Sequence, residues 1–109
     1  MDINDVKYEI QTLLDLANGN TPKAYAAAQV LLATYDSANY HLCVRDLCTL
    51  DLHEYQAALT VICLRVETGV EPQELIEDYN AFPDLCKRWG DQLNIANRGN
   101  HSSSGFDYS

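Results

Sequence analysis

The side chains best suited to chemistry in this chain are two histidines and two cysteines that lie close together, His41, Cys43, Cys48 and His53. Imidazole and thiolate are preferred ligands of zinc, but a structural zinc site usually includes a pair of cysteines two residues apart on a tight turn. Here the four side chains are separated by one, four and four residues. This spacing argues against a metal site, and we expect the protein to hold no metal and no cofactor.

The same segment offers the only candidate for a cysteine nucleophile, Cys43 with His41 or His53 as its base. A buried or idle thiol is the simpler explanation, and we expect Cys48 and Cys63 to fill the core as small apolar side chains while His53 faces water. The sequence has no glycine-rich phosphate loop, no G-x-S-x-G and no H-E-x-x-H. We therefore predict no catalytic residues and a protein that is not an enzyme.

The most one-signed stretch of the sequence lies between residues 67 and 84, and it has no basic residue. Its six carboxylates, our candidate partner-binding residues, are Glu67, Glu71, Glu74, Glu77, Asp78 and Asp84. Glu71 and Glu74 fall in the first turn of a predicted helix, where free N–H groups favour negative charge. The other four have no such explanation. They form either a solvated face or a binding face for a basic groove.

The overall charge restricts the kind of partner. Seven Lys and Arg stand against sixteen Asp and Glu, a formal net charge of −9. So few cations cannot neutralise many phosphates, which argues against direct binding of nucleic acid and against an anionic membrane surface. We expect a basic protein surface as the partner, and a monomer or homodimer.

The start of the chain and its cysteines bear on its location. The first five residues are acidic where a secretory signal would be basic and then apolar, and no apolar run is long enough to span a membrane. We expect a cytoplasmic protein of a host bacterium. In that compartment the four cysteines would be reduced thiols.

Apolar periodicity predicts an all-α fold, a small single-domain bundle of four to five helices over residues 1–96. Residues 97–109 lack this periodicity, and we predict a disordered, flexible tail there. A first helix is predicted over residues 3–17. A second is predicted from Thr21 to about Ser37, and its alanines should make it the central, most buried helix.

The rest of the domain is predicted from caps and breakers. Residues 39–50 are read as a connection with a short helical turn, and a two-stranded alternative remains open. Asp51 and Glu54 have the capping-box pattern of a helix that ends at Gly69. Its predicted inward face is Leu52, Tyr55, Leu59, Ile62, Cys63 and Val66.

The last third of the domain begins with a helix predicted at Glu71-Pro72, with Leu75, Ile76 and Tyr79 facing inward. Residues 82–84, Phe-Pro-Asp, then either break that helix or start a separate last one. The residues that such a last helix would place on one side are Leu85, Cys86, Trp89 and Leu93.

The segment from residue 29 to 65 resembles a loosely defined family of small proteins of unknown function from proteobacteria and their phages and plasmids. The positions that carry the resemblance are Leu31, Leu32, Ala33, Tyr35, Asp36, Asp46, Leu47 and Asp51. The similarity extends over about 70 residues, from Thr21 to Trp89. It implies an α-helical accessory protein of mobile-element origin, and it brings no catalytic residues with it.

Two functions from different classes fit these observations. The first is an acidic protein-binding inhibitor or adaptor, phage-encoded and anti-CRISPR-like, which occupies a basic nucleic-acid-binding groove of a host complex. The second is a small housekeeping or metal-binding helical domain, in which the charge only keeps the protein in solution.

Overall fold

Four α-helices make up most of the computed structural model, which describes residues 2–96. They are α1 (Ile3–Ala17), α2 (Pro22–Tyr35), α3 (Leu52–Thr68) and α4 (Ala81–Leu93). Two short 3₁₀ helices, Val44–Thr49 and Pro72–Leu75, precede α3 and α4. Within the described range there is no strand, only one isolated bridge between Tyr40 and Asn94. The all-α prediction is confirmed, and the predicted tail at 97–109 lies outside the described residues.

Helix α2 forms the centre of the bundle, as its alanines predict. Thr21 caps it by accepting the Ala24 amide at 3.1 Å, and Pro22 occupies the first turn, where its missing N–H costs nothing. Its buried residues are Ala24, Ala26, Ala27, Ala28, Gln29, Val30, Leu31, Leu32 and Thr34. Because so many of these are small, α1, α3 and α4 can all approach α2 closely.

Helix α4 closes the bundle over the connection between α1 and α2. The buried Trp89 donates its indole N–H to the Ala17 carbonyl at 2.9 Å. Arg88 reaches the same connection and donates to the Gly19 carbonyl at 2.6 Å and to Asn20 Oδ1 at 2.7 Å. The alternative of a separate last helix is therefore confirmed. Its buried residues are Phe82, Leu85, Trp89 and Leu93.

The connection from residue 39 to 50 is held by one buried glutamine. Gln29 is 1% exposed; its Nε2 donates to Asp46 Oδ2 at 2.6 Å and its Oε1 accepts the Cys43 amide at 2.8 Å. Both ends of the amide are satisfied, so the 3₁₀ helix Val44–Thr49 is fixed against α2. The predicted helical turn is confirmed, and the two-stranded alternative is wrong.

The predicted inward face of α3 is wrong. Leu52, Tyr55, Leu59 and Val66 are 72%, 40%, 39% and 77% exposed, and Ile62 and Cys63 are half-buried. The residues of α3 that are buried are instead Ala57, Ala58, Val61 and Leu64. This helix packs against both α1 and α2, and its alanines permit the closer approach. Both faces of α3 are apolar, so periodicity alone could not choose between them.

The predictions for Tyr79 and Cys48 are wrong. A helix begins at Pro72 as predicted, but it is a single 3₁₀ turn, Pro72–Leu75, after which Ile76 is extended and Tyr79 is 92% exposed rather than inward. Leu75 and Ile76 are half-buried, as expected for residues that pack at the edge of the core. Cys48 is exposed rather than in the core, because its 3₁₀ helix buries only Leu47.

Candidate protein-binding site

The six acidic residues of the predicted site extend from the last turn of α3 to the first turn of α4. Five are exposed, and Glu71 is half-buried. Within residues 2–96 none of the six forms an ion pair; the acids that do are Asp51 and Glu54, at 3.9 and 3.1 Å from Lys23 Nζ. The carboxylates of the segment therefore have no Lys or Arg ion-pair partner within the described domain.

Local backbone geometry explains part of this clustering. Glu74 Oε2 accepts the Glu71 amide at 2.9 Å, and Asp78 Oδ1 accepts the Asn80 amide at 2.9 Å. Glu71 Oε1 accepts from the Gln73 side chain. Asp84 lies in the first turn of α4, where a negative charge is stabilised by about 0.3–1 kcal/mol. These four acids have structural roles whatever the protein binds.

Glu67 and Glu77 are the acids that the fold leaves unexplained. Both are exposed, and neither makes a hydrogen bond or an ion pair with the part of the chain that the structure describes. From the sequence, only Glu71 and Glu74 have a structural explanation for their negative charge. The structure supplies one for Asp78 and Asp84 as well.

The segment borders two shallow depressions. The larger, about 480 Å³, lies between the start of α1 and residues 73–79; Glu74, Glu77 and Tyr79 line it together with Ile3 and Lys7. The smaller, about 180 Å³, has Asp78 and Asp84 on its walls. Glu67 lines neither depression. The structure thus divides the predicted face into two parts and adds the exposed ring of Tyr79, which the sequence had placed in the core.

A second surface was missed by the sequence reasoning. A groove of about 630 Å³ lies between α3 and the residues that precede it. Its lining residues are Leu42, Val44, Leu47, Cys48, Leu50, Asp51, Leu52, Tyr55, Leu59 and Ile62. The sequence shows apolar residues on two sides of α3. The prediction assigned to the core the side that lines this groove.

The histidine and cysteine segment is not assembled into a site. His41, Cys48 and His53 are exposed, and the Cys43 amide is bound to Gln29. All four cysteines are free thiols. Nowhere in residues 2–96 do three His, Cys, Asp or Glu side chains come together in a way that could hold a metal ion.

Cys86 is the thiol with the most distinctive surroundings. Burial raises its pKa above the ordinary value, and a hydrogen bond with Tyr40 partly offsets that rise. Burial likewise raises the pKa of the Tyr40 hydroxyl, and the contact with Cys86 adds to the rise. Both groups therefore stay protonated at neutral pH, which is the opposite of an activated nucleophile.

Comparison with known proteins identifies a family and no more. Residues 9–90 match the profile of a family of unknown function, DUF7673. The chain belongs to that family, since the match covers more than half of its length. No curated protein and no solved structure matches the chain. Among the described helices of this DUF7673 member, none is both long and apolar enough to cross a membrane.

The residues that carried the sequence resemblance all have structural explanations in this DUF7673 member. Asp46 accepts from Gln29, and Asp51 caps α3 by accepting the Glu54 amide at 2.9 Å. Tyr35 stacks on Phe82 with ring centroids 5.1 Å apart. Asp36 accepts from the Asn39 side chain at 2.9 Å. These four residues therefore contribute contacts to the fold.

Proposed function

We propose that this protein is an acidic protein-binding adaptor or inhibitor whose segment 67–84 binds a basic surface of another protein. The observation that carries the proposal is an exposed, one-signed segment without an ion pair in the described domain, beside a tyrosine that is 92% exposed. The target class is a groove that normally holds nucleic acid, as in a CRISPR effector. The resemblance to proteins of phages and plasmids supports that class of target.

Charge and the exposed ring would have different roles in binding. An exposed ion pair contributes only about 0–1 kcal/mol, because water already solvates both charges. Its larger effect is on the rate at which two oppositely charged surfaces meet. Tyr79 can supply the short-range contact, since buried aromatic rings are common anchors of protein interfaces. Glu74 and Glu77 flank it in the same depression.

The partner can be captured from the proposed site itself. A photoreactive residue in place of Tyr79 should cross-link to the partner, which mass spectrometry then identifies. The matched control places the same residue at Tyr8, which is 64% exposed on α1. A partner that cross-links from both positions equally would not define a site.

The acids to change are those without a structural role. Glu67→Lys with Glu77→Lys should lower the association rate for the purified partner by about tenfold or more at low salt, and the difference should shrink as salt screens the charges. The unfolding free energy should change by only about 0.5 kcal/mol per substitution. Asp15→Lys with Asp91→Lys makes the same change in net charge at two exposed acids outside residues 67–84.

The two double variants separate a binding face from general charge. If both slow association equally, only net charge matters and the segment is not the binding face. If neither has an effect, Glu67 and Glu77 serve only to keep the surface solvated. Tyr79→Ala should raise the dissociation rate more than it lowers the association rate, because a short-range anchor acts after the surfaces have met.

A further inference from the structure

The exposed side of α3 has the spacing of a helix-pairing seam. We name as the outer face of α3 the residues Leu52, Tyr55, Leu59, Ile62 and Val66. Their residue numbers increase by three, four, three and four. This is the pattern by which two helices pack side by side. The opposite side of the same helix is buried in the core. The outer face therefore lies mostly on the surface of the described domain, and only Ile62 is half-buried against the core.

The distribution of charge along α3 favours a second copy as the occupant. The chain carries −9 overall, yet residues 55–64 contain no charged side chain. Two such faces can meet without bringing like charges together at the centre. The charged residues lie at the two ends, with Asp51 and Glu54 at the start of α3 and both Arg65 and Glu67 near its end.

We propose that the outer face of α3 packs against the outer face of α3 from a second copy, in antiparallel orientation. This orientation brings the acidic start of one helix to the end of the other, where Arg65 lies. A parallel pair would instead place the two acidic starts, Asp51 and Glu54 of each copy, against each other, which is unfavourable.

The exposed area predicts a weak dimer. Together with Val44, which is 73% exposed, the outer face leaves roughly three whole apolar side chains uncovered in each copy. Standard interfaces bury about 800 Å² per partner, and this face falls short of that size. We expect dissociation constants of tens to hundreds of micromolar, on the order seen for transient contacts.

Sedimentation equilibrium of the purified full chain tests the dimer without any partner, so its outcome is independent of the proposed function. The parent should change from monomer to dimer between about 10 μM and 1 mM. Val66→Glu should weaken this association at least tenfold, and its 77% exposure means that the fold should not suffer. Tyr8→Glu, exposed on α1, is the matched control and should associate like the parent.

Disulfide trapping tests the orientation. Gln56 and Cys63 lie on the same flank of the outer face, seven residues apart. In the antiparallel pair each lies beside the other residue of the second copy, so Gln56→Cys should form a bond to Cys63 under mild oxidation, seen by peptide mapping. A bond between two copies of position 56 overturns the orientation.

Two results overturn the dimer itself. One is a parent that stays monomeric to about 1 mM, which assigns the face to another occupant such as a different protein or residues 97–109. The other is a Val66→Glu variant that associates as the parent does.

Discussion

Gln29→Met is the substitution that most directly tests how the long connection between α2 and α3 is held. Methionine has nearly the same length and volume, so it leaves no large cavity. It removes the donor to Asp46 and the acceptor of the Cys43 amide, which lie 2.6 and 2.8 Å from the Gln29 side chain. The change therefore isolates two hydrogen bonds from packing.

The expected cost follows from the kind of bond that is lost. A hydrogen bond to a charged group contributes about 1.5–3 kcal/mol, and a neutral one about 0.5–1.5 kcal/mol. Because the site is 1% exposed, burial of the apolar methionine side chain offsets part of the free energy lost with the two hydrogen bonds. We expect the free energy of unfolding to fall by about 2–4 kcal/mol, a large part of the 5–15 kcal/mol typical of a domain.

Urea denaturation followed by helical circular dichroism measures this loss, and amide hydrogen exchange at Cys43 should accelerate in parallel. The matched control is Gln11→Met, since Gln11 also donates to a carboxylate, Asp15 at 2.9 Å, but on the exposed side of α1. That change should cost less than about 0.5 kcal/mol. If the two variants lose the same stability, the buried amide does not hold the connection and the reasoning is refuted.

Three further changes test other parts of the fold. Gly69→Ala should cost about 1 kcal/mol in thermal unfolding, because φ is +77° at this helix end while nothing lies within 4 Å of an added Cβ. Trp89→Phe should cost about 1–3 kcal/mol, since the buried Ala17 carbonyl loses its donor at 2.9 Å. Stability should fall as pH rises above about 8.5. The pKa of Cys86 is raised only in the folded protein, so the unfolded chain loses the thiol proton at a lower pH than the folded protein does. Cys86→Ala should remove the earliest part of that alkaline loss, and an unchanged melting profile would refute it.

Local signals in the sequence determined most of the helices. The capping box of Asp51 and Glu54 and the left-handed Gly69 mark both ends of α3 as predicted. Thr21 with Pro22 marks the start of α2. These signals act over one turn of backbone, so neighbouring residues are sufficient to specify them. The all-α class follows from the same local information.

The chemistry of the candidate surfaces depended on contacts between distant residues. Sequence periodicity could show that α3 has apolar residues on two sides, but the close packing of α1 and α2 decided that Ala57 and Ala58 face the core. The acids from 67 to 84 were visible in the sequence as a set. The sequence did not show which of these acids form hydrogen bonds or stabilise helix ends and which have no such contact in the described domain.

What the sequence determined by itself is the set of helices, their caps and a strongly acidic composition, because each depends on neighbouring residues or on simple counts. Only the tertiary structure decided which face of α3 remains in water, that Tyr79 is exposed, and that Gln29 joins Cys43 and Asp46 across fourteen and seventeen residues. A side chain is buried or exposed according to the helices that pack beside it. That arrangement is set by how closely all of them can approach at once.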